Sequence, residues 1–215
     1  MQRIDEGSLR TAFGGLRGAT LTRYHRMEQF DGEGRRIAFK ERTIRSTDGE
    51  LQVTASDSSG EFDFGYLARF VSPPGEPTSL EELPDNVLPD DPAYASARNV
   101  EAFRYELVSD TTLHGRRVRL VRIAARPGPG DGQSIRRAEL FLEQESDRLV
   151  GVQIDRTDSA LWFREESSLF VSVDRLPSGR WVPEQARFET RITVPFRPEQ
   201  TFRSVIRYSD YGNAV

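Results

Sequence analysis

The residues able to do acid–base or metal chemistry are few and scattered in this sequence. The only histidines are His25 and His114, and neither has a second ligand at a metal-binding spacing such as HxxxH. His25 lies in a strand-like segment, and His114, next to Gly115, is expected to be a solvated turn residue. Cysteine is absent, which excludes disulfides, thiolate ligands and cysteine nucleophiles. We therefore predict no metal site.

Paired carboxylates are the other group that could support catalysis, because glycoside hydrolysis uses two of them at a set separation. Three acidic clusters occur, at Glu165-Glu166, at Asp155 with Asp158, and at Asp90-Asp91. Each falls in a segment predicted to be a turn or loop, where solvated acidic residues are common. The nucleophile pattern GxSxG and the phosphate-binding loop GxxxxGK[ST] do not occur. The sequence predicts no catalytic residue and no cofactor, and favours a binding or carrying role.

The elements that would position a site are mostly strands. Alternating apolar residues give a strand one buried face and one wet face, and short strands separated by turns predict an antiparallel meander. Turn residues such as His114-Gly115, Pro127–Gly130, Ser146-Asp147, Asp155–Asp158 and Ser178-Gly179 separate the segments. Seven such strands are predicted, at Phe103–Leu107, Val118–Leu120, Ala138–Leu142, Val150–Ile154, Leu169–Val173, Ala186–Ile192 and Phe202–Tyr208.

The first part of the chain predicts one helix and three or four strands. Ser8 can cap a short helix whose apolar stripe, at helical spacing, is Leu9, Ala12, Phe13 and Leu16. The predicted strands are Leu21–Phe30 and Arg36–Arg45, joined by a Gly-rich hairpin, then Leu51–Ala55 and a segment with Phe62, Phe64 and Tyr66.

The middle of the chain is rich in proline and divides the two groups of strands. Residues 72–102 predict two short helices, one starting at a capping box from Ser79 to Glu82 and one at Asp91-Pro92. Neither flank, residues 1–71 or residues 103–211, has enough apolar residues to close a core alone. We therefore predict a single domain over residues 1–215, with the helical segment as an insert.

Composition limits the class of partner. The net charge of −4 disfavours nucleic acid as the main ligand. No stretch approaches the roughly 20 apolar residues that span a bilayer. The first residues lack the apolar run of a signal peptide, which leaves either a cytoplasmic protein or one whose signal has been removed.

The order of these elements resembles that of LolA and its relatives, the bacterial outer-membrane lipoprotein-sorting proteins, with the sensor-regulator RseB. The matching residues are Ser178-Gly-Arg-Trp-Val-Pro183 before a long strand, Tyr208-Ser-Asp-Tyr211 at the end of the last strand, and Phe141–Glu143 followed by Leu149–Val152 as a hairpin. The resemblance implies a mainly β (α+β) fold. It consists of a single strongly curved antiparallel sheet, a half-barrel, with a few helices on the concave side. It also implies a periplasmic location and an apolar concave side that receives acyl chains.

Aromatic residues are the candidates for lining such a cavity, although core filling is the favoured interpretation of any single one of them. Phe141 and Phe170 are out of phase with their apolar neighbours, which predicts that they face the opposite side of the sheet from Leu140 and Val171. Trp181, between a glycine turn and Pro183, is expected at a strand start, covering the end of the core or the mouth of a cavity. The candidate lining residues are Phe64, Phe141, Trp162, Phe170, Trp181, Phe188, Phe202 and Tyr208.

Two functions from different classes follow from these observations. The first is a carrier of lipid or of lipoprotein acyl chains in the bacterial envelope, with membrane proteins of the envelope as partners. The second is an interaction or regulatory module of the same fold, with a filled core and a protein-binding face. Arginine pairs beside predicted turns are candidates for docking an acidic partner or lipid headgroups, namely Arg35-Arg36, Arg116-Arg117 and Arg136-Arg137.

Overall fold

The protein is mainly β, as predicted. The computed structural model describes residues 7–14, 16, 19–47, 50–63, 101–126, 135–160 and 162–212. In these residues there are one α-helix and ten strands, which form a single sheet. The elements are α1 (Gly7–Gly14), β1 (Leu21–Phe30), β2 (Arg36–Thr47), β3 (Glu50–Ser59), β4 (Phe103–Leu113), β5 (Arg116–Ala125), β6 (Ile135–Glu143), β7 (Leu149–Ala160), β8 (Phe163–Arg175), β9 (Trp181–Thr193) and β10 (Gln200–Ser209).

The sheet is antiparallel throughout and is not closed. Its order is β3-β2-β1-β10-β9-β8-β7-β6-β5-β4, so β3 and β4 are the two edges. The seven predicted strands of the second half form an uninterrupted meander from β4 to β10. The last strand, β10, then pairs with β1 along nine residues, which joins the two groups of strands into one sheet. The predicted hairpins at Gly32–Gly34, His114-Gly115 and Ser178-Gly179 are confirmed.

Helix α1 covers part of one face of the sheet, packing on β7, β8 and β9. Its predicted stripe is confirmed, since Leu9, Ala12 and Phe13 are each at most 2% exposed. Burial of one such leucine or phenylalanine is worth about 2 kcal/mol. Cross-strand partners share a face, so the buried residues Leu140, Val152, Val171, Ala186 and Ile206, which are partners across β6 to β10, define the face on which the helix packs. We call it the helix face, and the other the second face.

Two predicted turns are strands in the structure. Asp155 and Asp158 lie within β7, and Glu165 and Glu166 lie within β8, with Asp158 directly opposite Glu165. Strands β7 and β8 continue well beyond their apolar segments, because the main-chain hydrogen bonds that pair them do not depend on apolar side chains. The two strands stay paired as far as Ala160 and Phe163. Acidic composition therefore predicted the wrong place for the turn.

Strand β3 differs from its predicted burial. The alternation of Leu51, Val53 and Ala55 predicts one buried face, but every residue of β3 is exposed, with Val53 at 51%. The reason is its position, since among the described strands β3 lies at an edge of the sheet and pairs with β2 alone. Alternation indicates a strand with two unlike faces, but it does not ensure that another element covers the apolar one.

The sheet bends at the end that carries the β4–β5 turn. His114 of this turn contacts Glu184 of β9, although β6, β7 and β8 lie between β5 and β9. Arg116 of β5 contacts Asp174 of β8, although β6 and β7 lie between these two strands. A flat sheet would hold β5 and β8 about 14 Å apart. His114 is an exposed turn residue, as predicted, and its ring also contacts Glu184 of β9.

Some predicted elements lie outside the described residues. They are Phe64 and Tyr66, the two short helices of the proline-rich insert with the Asp90-Asp91 pair, and the Pro127–Gly130 turn. In the part of the chain that is described, no helix has the length and apolar character needed to cross a membrane.

Candidate ligand-binding face

The predicted aromatic residues divide between the two faces of the sheet. Tyr208 and Phe202 are buried on the helix face, Tyr208 meeting Phe13 of α1 edge-to-face with 6.3 Å between ring centroids. Phe188 follows Ala186 by two residues and so lies on the same face, but it remains 38% exposed. By the register of β8 and β9, Trp181 lies on this face as well, so the helix face carries four of the predicted residues, of which Phe188 is the accessible one.

Phe141 and Phe170 lie on the second face, as their phase predicted. Their rings meet edge-to-face at 6.1 Å, and the guanidinium of Arg187 lies 4.6 Å above the Phe170 ring. Gly151, the partner of Phe141, leaves room for this packing, because a Cβ there would come within 2.9 Å of Leu113 and 3.3 Å of Phe141. Phe170 also lines a cleft of about 530 Å³ with Gln153, Arg187 and Val205. These two phenylalanines lie on the opposite side of the sheet from Tyr208, so Tyr208 cannot share a cavity with them.

Trp181 is the first residue of β9 and is 7% exposed, as expected for a residue that covers the end of the core. The guanidiniums of Arg116 and Arg175 lie 5.4 and 6.0 Å from its ring centroid. The same two arginines line a cleft of about 590 Å³ between the β6–β7 and β8–β9 turns. This cleft is polar, with Glu143 and Glu145 in its wall, and is unsuited to an alkyl chain. Trp162, in the β7–β8 connection, is 42% exposed beside Phe163.

The arginine pairs do not form one patch. Neighbouring strands run in opposite directions, so the starts of β2 and β6, with Arg35-Arg36 and Arg136-Arg137, lie at one end of the sheet and the start of β5, with Arg116-Arg117, lies at the other. Several of these residues also have carboxylate partners: Arg35 pairs with Asp31 at 3.0 Å, Arg36 with Glu28 at 3.0 Å, Arg116 with Asp174, and Arg137 with Glu139.

A group of basic residues on the helix face was not predicted as a site. Leu21, Arg23, His25 and Met27 occupy every second position of β1 and therefore share one face. Arg23 is the cross-strand partner of Tyr208, which places this face on the helix side. Across the other edge of β1, His25 is opposite Arg42 and Met27 is opposite Lys40. Since cross-strand partners share a face, the helix face carries Arg23, His25, Lys40 and Arg42 side by side.

The surroundings of His25 keep its ring neutral. Burial and then the positive charges of Arg23, Arg42 and Lys40 lower the pKa of His25 from 6.5 to about 4. Its Nε2 lies 3.0 Å from the hydroxyl of Ser204 on β10, which a neutral ring can satisfy as donor or acceptor. At neutral pH, the charge of this group therefore comes from the two arginines and the lysine.

Arg23 and its neighbours hold polar atoms without partners. Arg23 is 2% exposed, and its Nε and Nη2 have no hydrogen-bond partner. The Tyr208 hydroxyl and the Ser46 hydroxyl are likewise buried and unpaired, and Ser46 lies opposite Leu21, diagonal to Arg23. Burial lowers the pKa of the Arg23 guanidinium and raises the pKa of the Tyr208 phenol. Buried donors without acceptors are rare in folded proteins, which makes this the least satisfied polar region among the described residues.

On the second face of the same strands, charges are paired. Arg26 contacts Glu28 at 2.7 Å and Glu41 at 3.0 Å, and Tyr24 donates to Glu41 at 3.0 Å. Desolvation opposes ionisation of Glu28, but hydrogen bonds from Arg26 and Arg36 outweigh it and lower the pKa of Glu28. On β1 and β2, the charged residues of the second face are therefore paired with one another, whereas Arg23 on the helix face is buried with two nitrogens unpaired.

A serine–histidine–glutamate arrangement also occurs, near the β4–β5 turn. His114 Nδ1 lies 2.8 Å from Glu184 Oε1, and His114 Nε2 lies 3.3 Å from Ser172 Oγ. These residue types and contacts match a hydrolase triad, but Ser172 is completely buried and its hydroxyl also donates to Glu184 at 3.3 Å. A substrate carbonyl cannot approach this hydroxyl, so we interpret the three residues as a structural link between the bent parts of the sheet.

No cluster of three or more metal-ligand side chains occurs among the residues that the structure describes. The sequence could not predict that the basic residues of the helix face lie together, because they belong to separate strands. The available signal was the spacing of Leu21, Arg23, His25 and Met27, which places two basic residues on the same side of β1 as two apolar ones. Only the register showed that Lys40, Arg42 and Tyr208 adjoin them.

No protein-family model matches the chain, and no curated protein matches it. Solved structures of other proteins do match this chain. An outer membrane lipoprotein-sorting protein domain from Vibrio parahaemolyticus is 11% identical, with 90% of this chain and 86% of that chain covered and a TM-score of 0.29. A LolA superfamily protein from Nitrosomonas europaea is 10% identical, with 97% and 92% covered and a TM-score of 0.29. A DUF1329 family protein from Desulfovibrio piger is 13% identical, with 97% and 91% covered and a TM-score of 0.32. TM-scores of this size carry no inference about what this chain binds.

Proposed function

We propose that this protein binds the apolar chain of a hydrophobic ligand on its helix face and carries lipid or lipoprotein acyl chains in the periplasm. The observation that carries the proposal is that some apolar side chains on the helix face stay accessible, both on β9, where α1 packs, and on the edge strand β3. Phe188 is 38% exposed, and Leu51 and Val53, at the edge of the same face, are 37% and 51% exposed. In a packed core these side chains would be covered.

Alkyl burial supplies enough free energy for such a role. Each methylene removed from water contributes about 0.8 kcal/mol, so a long acyl chain binds firmly without many polar contacts. In this proposal, the open sheet is the half-barrel that the resemblance to the lipoprotein-sorting proteins implies, and the helix face is its concave side. The periplasmic location and membrane-protein partners follow from the resemblance.

Lipid binding is tested first on the protein as it is purified. Native mass spectrometry after gentle purification should show bound lipid, and the delipidated protein should bind dodecanol in calorimetry. Phe188→Ser should weaken dodecanol binding by roughly five- to thirtyfold, the equivalent of about 1–2 kcal/mol of lost apolar contact. Phe196→Ser is the matched control, because Phe196 is fully exposed in the connection between β9 and β10, outside the strands of the sheet. If no lipid is found and wild-type protein does not bind dodecanol, the proposal fails.

A regulatory or interaction module is the second candidate, favoured by edge strand β3. All ten of its residues are exposed, and its outer edge has no strand partner in the described sheet. Such an edge can accept a strand from another protein, with the added main-chain hydrogen bonds providing affinity. Gln52→Pro would remove a backbone donor from β3, and loss of a captured partner with retained dodecanol binding would favour this second function.

A further inference from the structure

The cleft beside Phe170 is built from two neighbouring rows of cross-strand partners on the second face. The first row, across β7, β8, β9 and β10, is Gln153, Phe170, Arg187 and Val205. The second row, two residues away on each strand, is Asp155, Ser168, Glu189 and Arg203. All of these residues except Asp155 line the cleft, whose volume of about 530 Å³ is typical of sites for small molecules.

Phe188 also borders the cleft, although its side chain belongs to the helix face. Successive side chains of a strand point to opposite faces, so the cleft meets the main chain of Phe188, between Arg187 and Glu189. The cleft is therefore separate from the accessible phenylalanine ring on which the proposed function depends.

One cation of the cleft is left without an anion. Arg203 pairs with Glu189 at 2.9 Å. Asp155, at the side of the cleft, has Arg137 of β6 as its cross-strand partner. Arg187 is exposed and has no carboxylate partner among the residues that the structure describes. An anionic ligand that enters the cleft therefore finds one guanidinium whose N–H donors are not already used by a carboxylate.

The Phe170 ring holds this cation in place. The Arg187 guanidinium lies 4.6 Å from the centroid of that ring, and Phe170 is itself fixed by its edge-to-face contact with Phe141. An arginine stacked on a ring has already lost much of its side-chain freedom, so less entropy is lost when it binds a ligand. Its planar fork of N–H donors matches the two oxygens of a carboxylate.

We propose that this cleft binds a small organic monocarboxylate, with its charged group on Arg187 and its apolar part against Val205. Val205 is the cross-strand partner of Arg187 and is only half-buried, so the apolar part of a ligand paired with Arg187 lies within its reach. A single free cation favours a monoanion, and Glu189 repels the second charge of a phosphate dianion. The inference goes beyond the proposed function, because the cleft is on the opposite side of the sheet from the helix face.

The test uses phenylacetate as the probe and phenylacetamide, a neutral molecule of nearly the same size and shape, for comparison. In calorimetry at neutral pH, wild-type protein should bind phenylacetate saturably and at least about tenfold more tightly than phenylacetamide, because hydrogen bonds between two charged groups are the stronger ones. Inorganic phosphate is the third probe and should bind more weakly than phenylacetate.

Two substitutions with opposite expected effects locate the site. Arg187→Met keeps an unbranched side chain over the Phe170 ring and removes the charge, so it should weaken phenylacetate binding by about tenfold or more and leave the thermal midpoint nearly unchanged. Glu189→Gln should strengthen phenylacetate binding by about threefold, since it removes the anion nearest to the ligand. Arg207→Met is the matched control and should bind as wild type does, because Arg207 is an exposed arginine on the second face of β10 that does not line the cleft.

Several results would overturn the carboxylate site. They are the absence of saturable phenylacetate binding, equal affinities for phenylacetate and phenylacetamide, and unchanged phenylacetate binding by Arg187→Met. Weaker binding by Glu189→Gln would contradict the expected repulsion, and phosphate binding tighter than phenylacetate binding would exclude a monocarboxylate as the ligand. A lowered thermal midpoint of Arg187→Met with equal loss of both organic probes would mean that Arg187 is structural. Dodecanol binding, which tests the helix face, should be the same in Arg187→Met as in wild type, so either proposal can fail without the other.

Discussion

His25 should make the protein less stable in mild acid, by an amount that follows from its surroundings. The pKa of His25 is lowered from 6.5 to about 4 in the folded protein by burial and by the neighbouring charges of Arg23, Arg42 and Lys40. The unfolded chain therefore takes up a proton near pH 6.5, whereas the folded protein resists protonation until about pH 4. Unfolding binds protons between these values, so the free energy of unfolding falls as the pH falls through this window.

The magnitude comes from the two pKa values. A tenfold difference in proton affinity corresponds to about 1.4 kcal/mol, so the full effect is about 3 kcal/mol below pH 4. At pH 5 the unfolded histidine is almost fully protonated and the folded one mostly neutral, and the loss relative to pH 7 is about 2 kcal/mol. This is a large part of the stability of an ordinary domain.

The assay is denaturant unfolding of wild type and His25→Gln at pH 7, 6 and 5. Glutamine keeps a polar partner for Ser204 but does not titrate, so the wild-type protein should lose about 2 kcal/mol more than the variant between pH 7 and pH 5. Carboxylates such as Glu28 titrate equally in both proteins and cancel in the difference. Arg207→Met should keep the wild-type pH dependence. Parallel curves for wild type and His25→Gln would refute the reasoning, because they would mean that His25 is solvated in the folded state.

Three further substitutions test the packing. Tyr208→Phe removes a buried hydroxyl without a partner, so the free energy of unfolding in the absence of ligand should rise by about 1 kcal/mol. A lower free energy of unfolding, measured with denaturant, would contradict this. Gly151→Ala should lower the free energy of unfolding by about 1 kcal/mol, because the added Cβ would press on Leu113. The loss should be smaller when Leu113 is also replaced by alanine, and equal losses with and without Leu113→Ala would exclude that contact. Phe13→Ala should cost about 3–5 kcal/mol, since the ring is buried between α1 and the sheet, and a smaller loss would mean that the helix is weakly held.

The strands and the helix were predictable because their signals are local. The stripe of Leu9, Ala12 and Phe13 and the alternation from β4 to β10 reflect the helical and extended repeats of the backbone, which each segment carries by itself. The phase of Phe141 and Phe170 was predictable for the same reason. The turn predicted at Asp155–Asp158 was wrong because it rested on acidic composition and not on periodicity. Charged residues are common both in turns and on the polar parts of long strands.

The candidate site needed the tertiary structure because its parts are distant in sequence. Arg23 and Tyr208 are separated by most of the chain and become neighbours only because β10 returns to pair with β1. The sequence by itself determined which segments are extended and which side of each is apolar. Folding decided which strands adjoin and which faces stay uncovered, and so it assembled the basic group on the helix face, because the register of a sheet is a property of strand pairs and not of any one strand.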